Sequence, residues 1–260
     1  MRVSGLLNCG LQIPSLEAGR SFYTDFGLEV SEQGNALAVR CTGRDQDQVI
    51  LTEGPRKRLD HVAFAVEPGS LPDWQRHLEG LGVRLLYIGD GLWFEDEEGN
   101  LVRLRDTGLA PWRPFPPEAF NVAVEAFYTR ALGLRLSDRV PGKATFLNSG
   151  PGDHHVFGFV QSTHPGLHHT SFEVANIDQL GMGAQLMAAN GHREGWGLGR
   201  HSLGSNLFHY IRDPWGSWIE YFTDIDRITE DWIPREWQTP PAVWCPLMPE
   251  QFLINLEDRP

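Results

Sequence analysis

Apolar positions recur along the chain with two periods. Spacings of three and four residues predict helices over "SFYTDFG", "PDWQRHLEGLG" and "IDQLGMGAQLMAANG", whereas alternation predicts strands in "DHVAFAVE" and "SWIEYFTD". Gly82 and Gly191 stand where helices should end, and Glu17 and Glu125 are expected on exposed helix sides. The turn "DPWG" has proline second and glycine fourth, which is typical of a type I turn. These signals predict an α+β protein.

The predicted elements occur twice in the same order. "SFYTDFGLEVSEQ" returns as "AFYTRALGLRLSDR", "LDHVAFAVE" as "LHHTSFEVA", and "GLWFEDEEGNLVRLRD" as "FHYIRDPWGSWIEYFTD". Three ordered matches indicate an internal duplication. We therefore expect two tandem βαβββ modules with curved sheets, over residues 1–108 and 109–232. A tail, residues 233–260, is expected to wrap the second module.

Composition and charge exclude several classes of partner. The chain has 34 acidic and 22 basic residues, a net charge of -12, which argues against binding nucleic acid or an anionic membrane. The N-terminus is too polar for a signal peptide, and no apolar run approaches membrane-spanning length. Three widely spaced cysteines form no disulfide framework and favour a reducing cytoplasm. We expect a globular cytoplasmic protein that acts on small molecules.

One carboxylate stands out among large apolar residues. Glu220 lies in "SWIEYFTD", where burial is costly unless a cation meets the carboxylate. Because alternate strand positions share a face, His169 and Glu220 can both point into the concave side of the second copy. The first copy has His61 but carries Arg103 at the position of the glutamate, and this cation would repel a metal. The second copy is therefore predicted to bind a metal, and the first to be a degenerate scaffold.

The donor types favour particular metals. Imidazole and carboxylate with open positions suit non-haem Fe(II) or Mn(II), whose usual site has two histidines and one carboxylate. Zinc is less favoured without thiolate ligands. Seven of the ten histidines fall between His154 and His209, which strengthens the prediction of a site in the second copy.

The second copy resembles the catalytic module of the type I extradiol ring-cleaving dioxygenases, in the vicinal oxygen chelate superfamily. The matching stretches are "GDHHVFGFV", "PGLHHTSFEV" and "GLGRHSLGSNLFHYIRDPWGSWIEYFTD", together with the FYT helix. The resemblance implies that His169 and Glu220 bind iron, that His155 is the catalytic acid and base, and that His201 and Tyr210 hydrogen-bond the substrate oxygens. It also implies that a catechol and O2 are the substrates, and we expect a homo-oligomer. Three other histidines match no such role and are interpreted as neighbours on alternate strand faces: His154, His168 and His209.

A third ligand is missing from the sequence. In the family it is a histidine on the first strand of the second module, and the repeat places that strand near Arg113, in "PWRPFPPEAF". Four prolines there exclude an interior strand, because each removes a ladder donor. Either the protein has lost this segment, or the sequence as printed omits a stretch near Asn121 to Val124. We favour the omission, because the other catalytic positions are intact.

Two other functions fit the same scaffold. A glyoxalase-like isomerase lacks support from a second carboxylate ligand and leaves His155, His201 and Tyr210 without roles. A decayed or non-catalytic protein that binds aromatic ligands would explain the missing histidine.

Overall fold

A computed structural model describes residues 1–41, 45–107, 123–162 and 165–254 of the 260-residue chain. The elements of the first copy follow the order β-α-β-β-β, and this order occurs twice. The elements are β1 (Gly5–Ile13), α1 (Leu16–Asp25), β2 (Glu29–Gln33), β3 (Ala36–Arg40), β4 (Val49–Glu53), β5 (Arg58–Val66), α2 (Leu71–Gly80), β6 (Leu85–Ile88), β7 (Leu92–Glu95) and β8 (Leu101–Asp106).

The second copy ends with one complete β-α-β-β-β run. Its elements are α3 (Ala123–Leu132), β9 (Arg135–Val140), β10 (Ala144–Asn148), β11 (Gly152–Asp153), β12 (Phe157–Val160), β13 (His169–Glu173), α4 (Ile177–Ala189), β14 (Gly195–His201), β15 (Leu207–Arg212) and β16 (Trp218–Thr223). β17 (Arg227–Ile228) follows, and the tail adds β18 (Arg235–Glu236), β19 (Ala242–Trp244) and a short 3-10 helix (Glu250–Leu253).

The α+β class is confirmed, but the first copy holds two β-α-β-β-β runs where the sequence predicted one. Two strands gave no clear signal in the sequence, β6 in the first copy and β14 in the second. β6 is exposed at three of its four residues, so it shows no alternation of buried and exposed positions. β14 has three glycines in seven residues, a composition that is more typical of a loop than of a strand.

The chain divides into two compact units, and each takes residues from both sequence copies. The first unit comprises Met1–Gly10, Asp60–Gln161 and Arg227–Trp237, and the second comprises Leu11–Leu59, Ser162–Asp226 and Gln238–Pro260. This division follows spatial contacts, whereas the boundaries 1–108, 109–232 and 233–260 follow the repeat. Those boundaries stay predictions about the duplication.

The second unit contains a five-stranded sheet in the order β13-β16-β15-β14-β19. β13 and β16 are parallel, and the other neighbours are antiparallel. The 3-10 helix places Phe252 in a buried aromatic cluster with Trp196, Phe208, Tyr210 and Trp218. Two tail elements thus pack on this sheet or join it.

The first unit contains the antiparallel run β6-β7-β8, with β8 parallel to β5, and a four-stranded sheet in the order β12-β10-β9-β18. Phe64, Phe94 and Tyr128 are fully or almost fully buried in it. The tail contributes β18, whose residues pair with Asp138 and Arg139 of β9.

The register of the two parallel strand pairs shows the duplication directly. Ala63, two residues after His61, pairs with Arg103, whereas Ser171, two residues after His169, pairs with Glu220. Arg103 therefore occupies the position in the first copy that Glu220 occupies in the second.

Both glycines predicted to end helices do so. Gly82 and Gly191 have positive φ values of +78° and +95°. The backbone amide of the residue after each glycine donates a hydrogen bond to the helix. Val83 N lies 3.0 Å from the carbonyl oxygen of Leu78, and His192 N lies 2.9 Å from that of Met187. This is the Schellman arrangement, in which a left-handed residue satisfies the last carbonyls of a helix.

The expectation that Glu125 is exposed was wrong, whereas Glu17 is exposed as predicted. Glu125 is only 2% exposed, and its carboxylate lies 3.2 Å from the guanidinium of Arg139. Burial raises the pKa of Glu125, and Arg139 partly opposes this shift. The sequence pattern missed the partner because Arg139 lies on the next strand, β9.

Two further expectations concern the segment before α3. The missing first strand and the omitted stretch fall on residues 108–122 and the start of α3, so the decisive part lies outside the described residues. None of the helices in the described ranges is long and apolar enough to cross a membrane.

Candidate metal centre

The centre of the site is the buried carboxylate of Glu220, on β16 in the second unit. It is 3% exposed. Ser171 donates its hydroxyl hydrogen bond to Oε2, and the amide of Asn206 donates to Oε1 at 3.3 Å. Ser171 reaches the carboxylate because the register of β13 and β16 places it directly opposite. These donors offset part of the cost of burying the charge.

Three further predicted site residues converge on this carboxylate. His169 Nε2 lies 3.7 Å from Oε2, and His201 Nε2 lies 3.5 Å from Oε1. Tyr210 is the cross-strand partner of Glu220, and its hydroxyl lies 3.1 Å from His201 Nε2. Four of the five predicted site residues thus meet within one unit. His155 belongs to the first unit, and its role beside the metal stays a prediction.

The protonation states suit a site that holds a cation. Burial by itself would raise the pKa of Glu220, but hydrogen bonds and charge from His201 and His169, with the Ser171 hydroxyl, hold it below its ordinary value. Burial, followed by the neighbouring Glu220 carboxylate, raises the pKa of Tyr210 well above its ordinary value. The carboxylate is therefore ionised at neutral pH, while the phenol keeps its proton.

Two histidines to which the sequence assigned no role lie next to predicted site residues, and His154 is buried whereas His168 is half-buried. His168 Nδ1 lies 2.6 Å from His169 Nδ1, and His154 Nδ1 lies 3.0 Å from His155 Nδ1. The available signal was the doublet "HH", which occurs twice and whose second member is a predicted site residue each time.

The position in the first copy that is equivalent to Glu220 holds Arg103, a cation whose charge is balanced by a carboxylate. Arg103 forms an ion pair with Asp90, and its guanidinium carbon lies 4.8 Å from the centre of the Trp93 ring. His61 Nδ1 lies 2.9 Å from a carboxylate oxygen of Asp60. That the first copy is a scaffold without a metal stays a prediction.

The residues present fit two of the three protein ligands of an Fe(II) or Mn(II) site. His169 and Glu220 supply an imidazole and a carboxylate that face each other, the donor types such sites use. No cluster of three or more potential metal ligands was found among the described residues. The sequence contains no histidine between His77 and His154, so the family's first-strand ligand has no counterpart there.

Comparison with known proteins agrees with this fold. The family model described as "Glyoxalase/Bleomycin resistance protein/Dioxygenase superfamily" matches residues 123–221. "Metapyrocatechase 2" of Cupriavidus necator is 34% identical over 295 residues, which cover 95% of this chain and 90% of that protein. This span exceeds the 260 residues of the chain, so the relative contains residues without a counterpart here.

Two solved structures share the fold. The Mn(II)-bound glyoxalase from Novosphingobium aromaticivorans has a TM-score of 0.78 at 23% identity, covering 92% of this chain and 89% of that chain. The 2,3-dioxygenase LapB from Pseudomonas sp. KL28 also has a TM-score of 0.78, at 21% identity, covering 91% of this chain and 98% of that chain.

The β-α-β-β-β runs and the histidine and glutamate on neighbouring parallel strands define a protein of the vicinal oxygen chelate superfamily. Within that superfamily, the chain belongs to the extradiol ring-cleaving dioxygenases, the family that contains Metapyrocatechase 2.

Proposed function

We propose that this chain cleaves the ring of a catechol-type diol next to its hydroxyl groups, incorporating both atoms of O2 at a non-haem Fe(II) centre. One observation carries the proposal: His169, His201 and Tyr210 converge around the buried carboxylate of Glu220. Membership of the extradiol family supports the reaction type.

His169 and Glu220 are the residues that would hold the metal. When bound, the metal ion would hold the diol and O2 together and stabilise negative charge on their oxygens. His201 and Tyr210 are proposed to hydrogen-bond the substrate oxygens. The Tyr210 hydroxyl suits this role because its raised pKa keeps the proton available for donation.

His155 is proposed as the acid and base. An imidazole titrates near neutral pH, so it can accept a proton from the diol and return it later in the reaction. The resemblance to the family supports this assignment. We expect His155→Ala to retain metal and to lose most turnover. His77→Ala, on helix α2 of the same unit, is the control, and unchanged turnover in His155→Ala would remove this residue from the role.

The metal and its third protein ligand are part of the proposal. Fe(II) and Mn(II) prefer similar donors, and a solved structure with this fold contains Mn(II). Because only two of the family's three protein ligands are found, we expect weak metal binding. A cytoplasmic location and a homo-oligomeric state stay predictions.

Anaerobic reconstitution tests the function. The metal-free protein would be loaded with Fe(II) or, separately, Mn(II), and a panel of substituted catechols and O2 would follow in an oxygen electrode. Oxygen uptake with a yellow ring-fission product supports cleavage. Catechol binding without oxygen uptake would instead favour an aromatic-ligand binding protein, and isomerisation of a glyoxalase-type substrate would favour the isomerase.

A further inference from the structure

The two histidine doublets, His154–His155 and His168–His169, make the same pattern of contacts through their ring nitrogens. In each, the first histidine uses Nε2 to meet a fixed oxygen acceptor and Nδ1 to meet Nδ1 of the second. We propose that His154 and His168 are positioning residues. Each fixes the tautomer of the histidine that follows it, so that His155 and His169 carry their ring proton on Nδ1 and present the lone pair of Nε2.

In the second unit, a backbone carbonyl determines which nitrogen donates in each hydrogen bond of the doublet. Phe252 O lies 2.6 Å from His168 Nε2, and because a carbonyl only accepts, this nitrogen carries the proton. In neutral His168 the other nitrogen, Nδ1, is then an acceptor. His169 Nδ1, at 2.6 Å, must donate to it. The lone pair of His169 is therefore on Nε2, the nitrogen that lies 3.7 Å from Glu220 Oε2.

A metal ligand needs this tautomer. Imidazole binds a metal through the lone pair of one nitrogen while the other nitrogen donates a hydrogen bond to a partner that orients the ring. His168 supplies that partner within the protein. The opposite tautomer would place a proton on the nitrogen that faces Glu220, where a cation would have to bind.

In the first unit, a carboxylate determines which nitrogen donates in each hydrogen bond of the doublet. Asp138 Oδ1 accepts the backbone amide of Arg235 at 2.7 Å, and Oδ2 lies 3.1 Å from His154 Nε2. An ionised carboxylate only accepts, so His154 Nε2 carries the proton, and in neutral His154 the other nitrogen, Nδ1, accepts from His155. His155 then has its lone pair on Nε2, as a base that accepts protons through that nitrogen requires. Use of that lone pair in catalysis rests on the proposed function.

Both anchors are held by segments of the C-terminal tail. Phe252 is buried, and its ring lies 4.6 Å from that of Trp196. Arg235 belongs to β18, and Trp232 contacts the ring of His154 while donating through Nε1 to Ser137 O at 2.9 Å. Rigid partners keep a ring orientation fixed, which is what a positioning role requires.

The tautomers can be read without metal or substrate. Protein labelled with 15N in the histidine rings would be examined metal-free by long-range proton-nitrogen NMR correlation, with single replacements for assignment. We expect the proton on Nδ1 in His155 and His169, and on Nε2 in His154 and His168. A proton on Nε2 of His169 or His155 in the unmodified protein would overturn the proposal for that doublet. This result stands whether or not the protein is a dioxygenase.

Mn(II) binding supplies a second readout for His168. His168→Leu removes the acceptor for His169 Nδ1, so we expect Mn(II) affinity to fall by about 10- to 100-fold, measured from free Mn(II) by electron paramagnetic resonance. His168→Asn can place its side-chain oxygen near the former Nδ1 and should recover most of the affinity. Equal affinity in the unmodified and His168→Leu proteins would contradict the role.

Replacements of His154 provide the matched control. His154→Leu should leave Mn(II) affinity unchanged and lower kcat more than KM, with recovery in His154→Asn. Circular dichroism would identify a variant that fails to fold, and in that case the NMR result on the unmodified protein decides. If the unmodified protein binds no Mn(II), the proposed metal function fails, while the tautomers remain testable.

Discussion

A buried ion pair next to the site offers a quantitative test of what positions Glu220. Lys57 Nζ lies 3.3 Å from Asp213 Oδ2, and the two side chains are 4% and 5% exposed. The other carboxylate oxygen of Asp213 accepts the backbone amides of Trp215 and Ser217, each at 2.9 Å. Asp213 thus holds the turn that leads into β16, the strand of Glu220. We predict that breaking this pair from either side strongly destabilises the second unit.

The magnitude follows from two opposing effects. At 3.3 Å two unit charges attract by about 5 kcal/mol at an effective dielectric constant of 20. Burying each ion costs several kcal/mol, so the intact pair contributes little net stability, whereas removing one partner costs roughly 3–5 kcal/mol. Lys57→Met should fall near the lower limit, because Asp213 keeps its two backbone hydrogen bonds. Asp213→Asn should cost more, because Lys57 Nζ has no hydrogen-bond partner among the described residues that could replace the ion pair.

Urea unfolding of the metal-free single and double variants measures these costs. The double variant Lys57→Met with Asp213→Asn should lose about as much as one single variant, so the coupling energy should equal the cost of the other single variant, roughly 3–5 kcal/mol in magnitude. Coincident fluorescence and circular dichroism transitions would show whether a single free energy is defined. Arg20 and Glu32 form the control, because this ion pair is 41% and 82% exposed and should contribute less than about 1 kcal/mol. A cost below about 1 kcal/mol for Lys57→Met, or additive single costs, would refute the reasoning.

Three further changes test the site and its support. Tyr210→Phe removes a hydroxyl donor and should lower kcat by about 100-fold while Mn(II) affinity stays unchanged, as measured by oxygen uptake and a metal titration. Truncation after Pro249 removes the carbonyl that anchors the doublet of the second unit and should weaken Mn(II) binding, whereas truncation after Ile254 should not. Tyr221→Phe loses a 2.6 Å hydrogen bond to the carbonyl of Phe26 and should cost about 1 kcal/mol in urea unfolding.

Each of these expectations has a clear opposite. Loss of metal in the Tyr210 variant would place its hydroxyl in the metal site rather than beside the substrate. Equal Mn(II) affinities in the two truncated proteins would show that the backbone carbonyl is not the anchor. An unchanged unfolding midpoint and slope for Tyr221→Phe would mean that water replaces the lost bond without cost.

The sequence contained the information for the fold and for the metal side of the site. Repeated motifs predicted the duplication, and the periodicity placed His169 and Glu220 on neighbouring strands with the right faces, because strand alternation is a local property. The FYT motif could not predict that Glu125 is buried, since that depends on Arg139 reaching it from β9. Local patterns likewise do not reveal that each compact unit draws on both copies.

The positioning histidines depend on contacts that are remote in sequence. His168 meets a carbonyl 84 residues away, and Asp138 meets an amide 97 residues away. A doublet of histidines has the same appearance whether its first member is exposed on the other strand face or buried against an acceptor. Whether the first histidine is exposed or buried depends on where the tail packs. The tail sequence has no periodicity from which that packing could be predicted.

The same sheet position carries opposite charges in the two copies. In the first copy the position is filled by Arg103, whose charge is balanced by Asp90. In the second copy the position is filled by Glu220, which meets hydroxyl, amide and imidazole groups. Because the pKa of Glu220 is held below its ordinary value, the carboxylate stays charged at neutral pH. A divalent metal held by Glu220 and His169, as proposed above, would balance this negative charge.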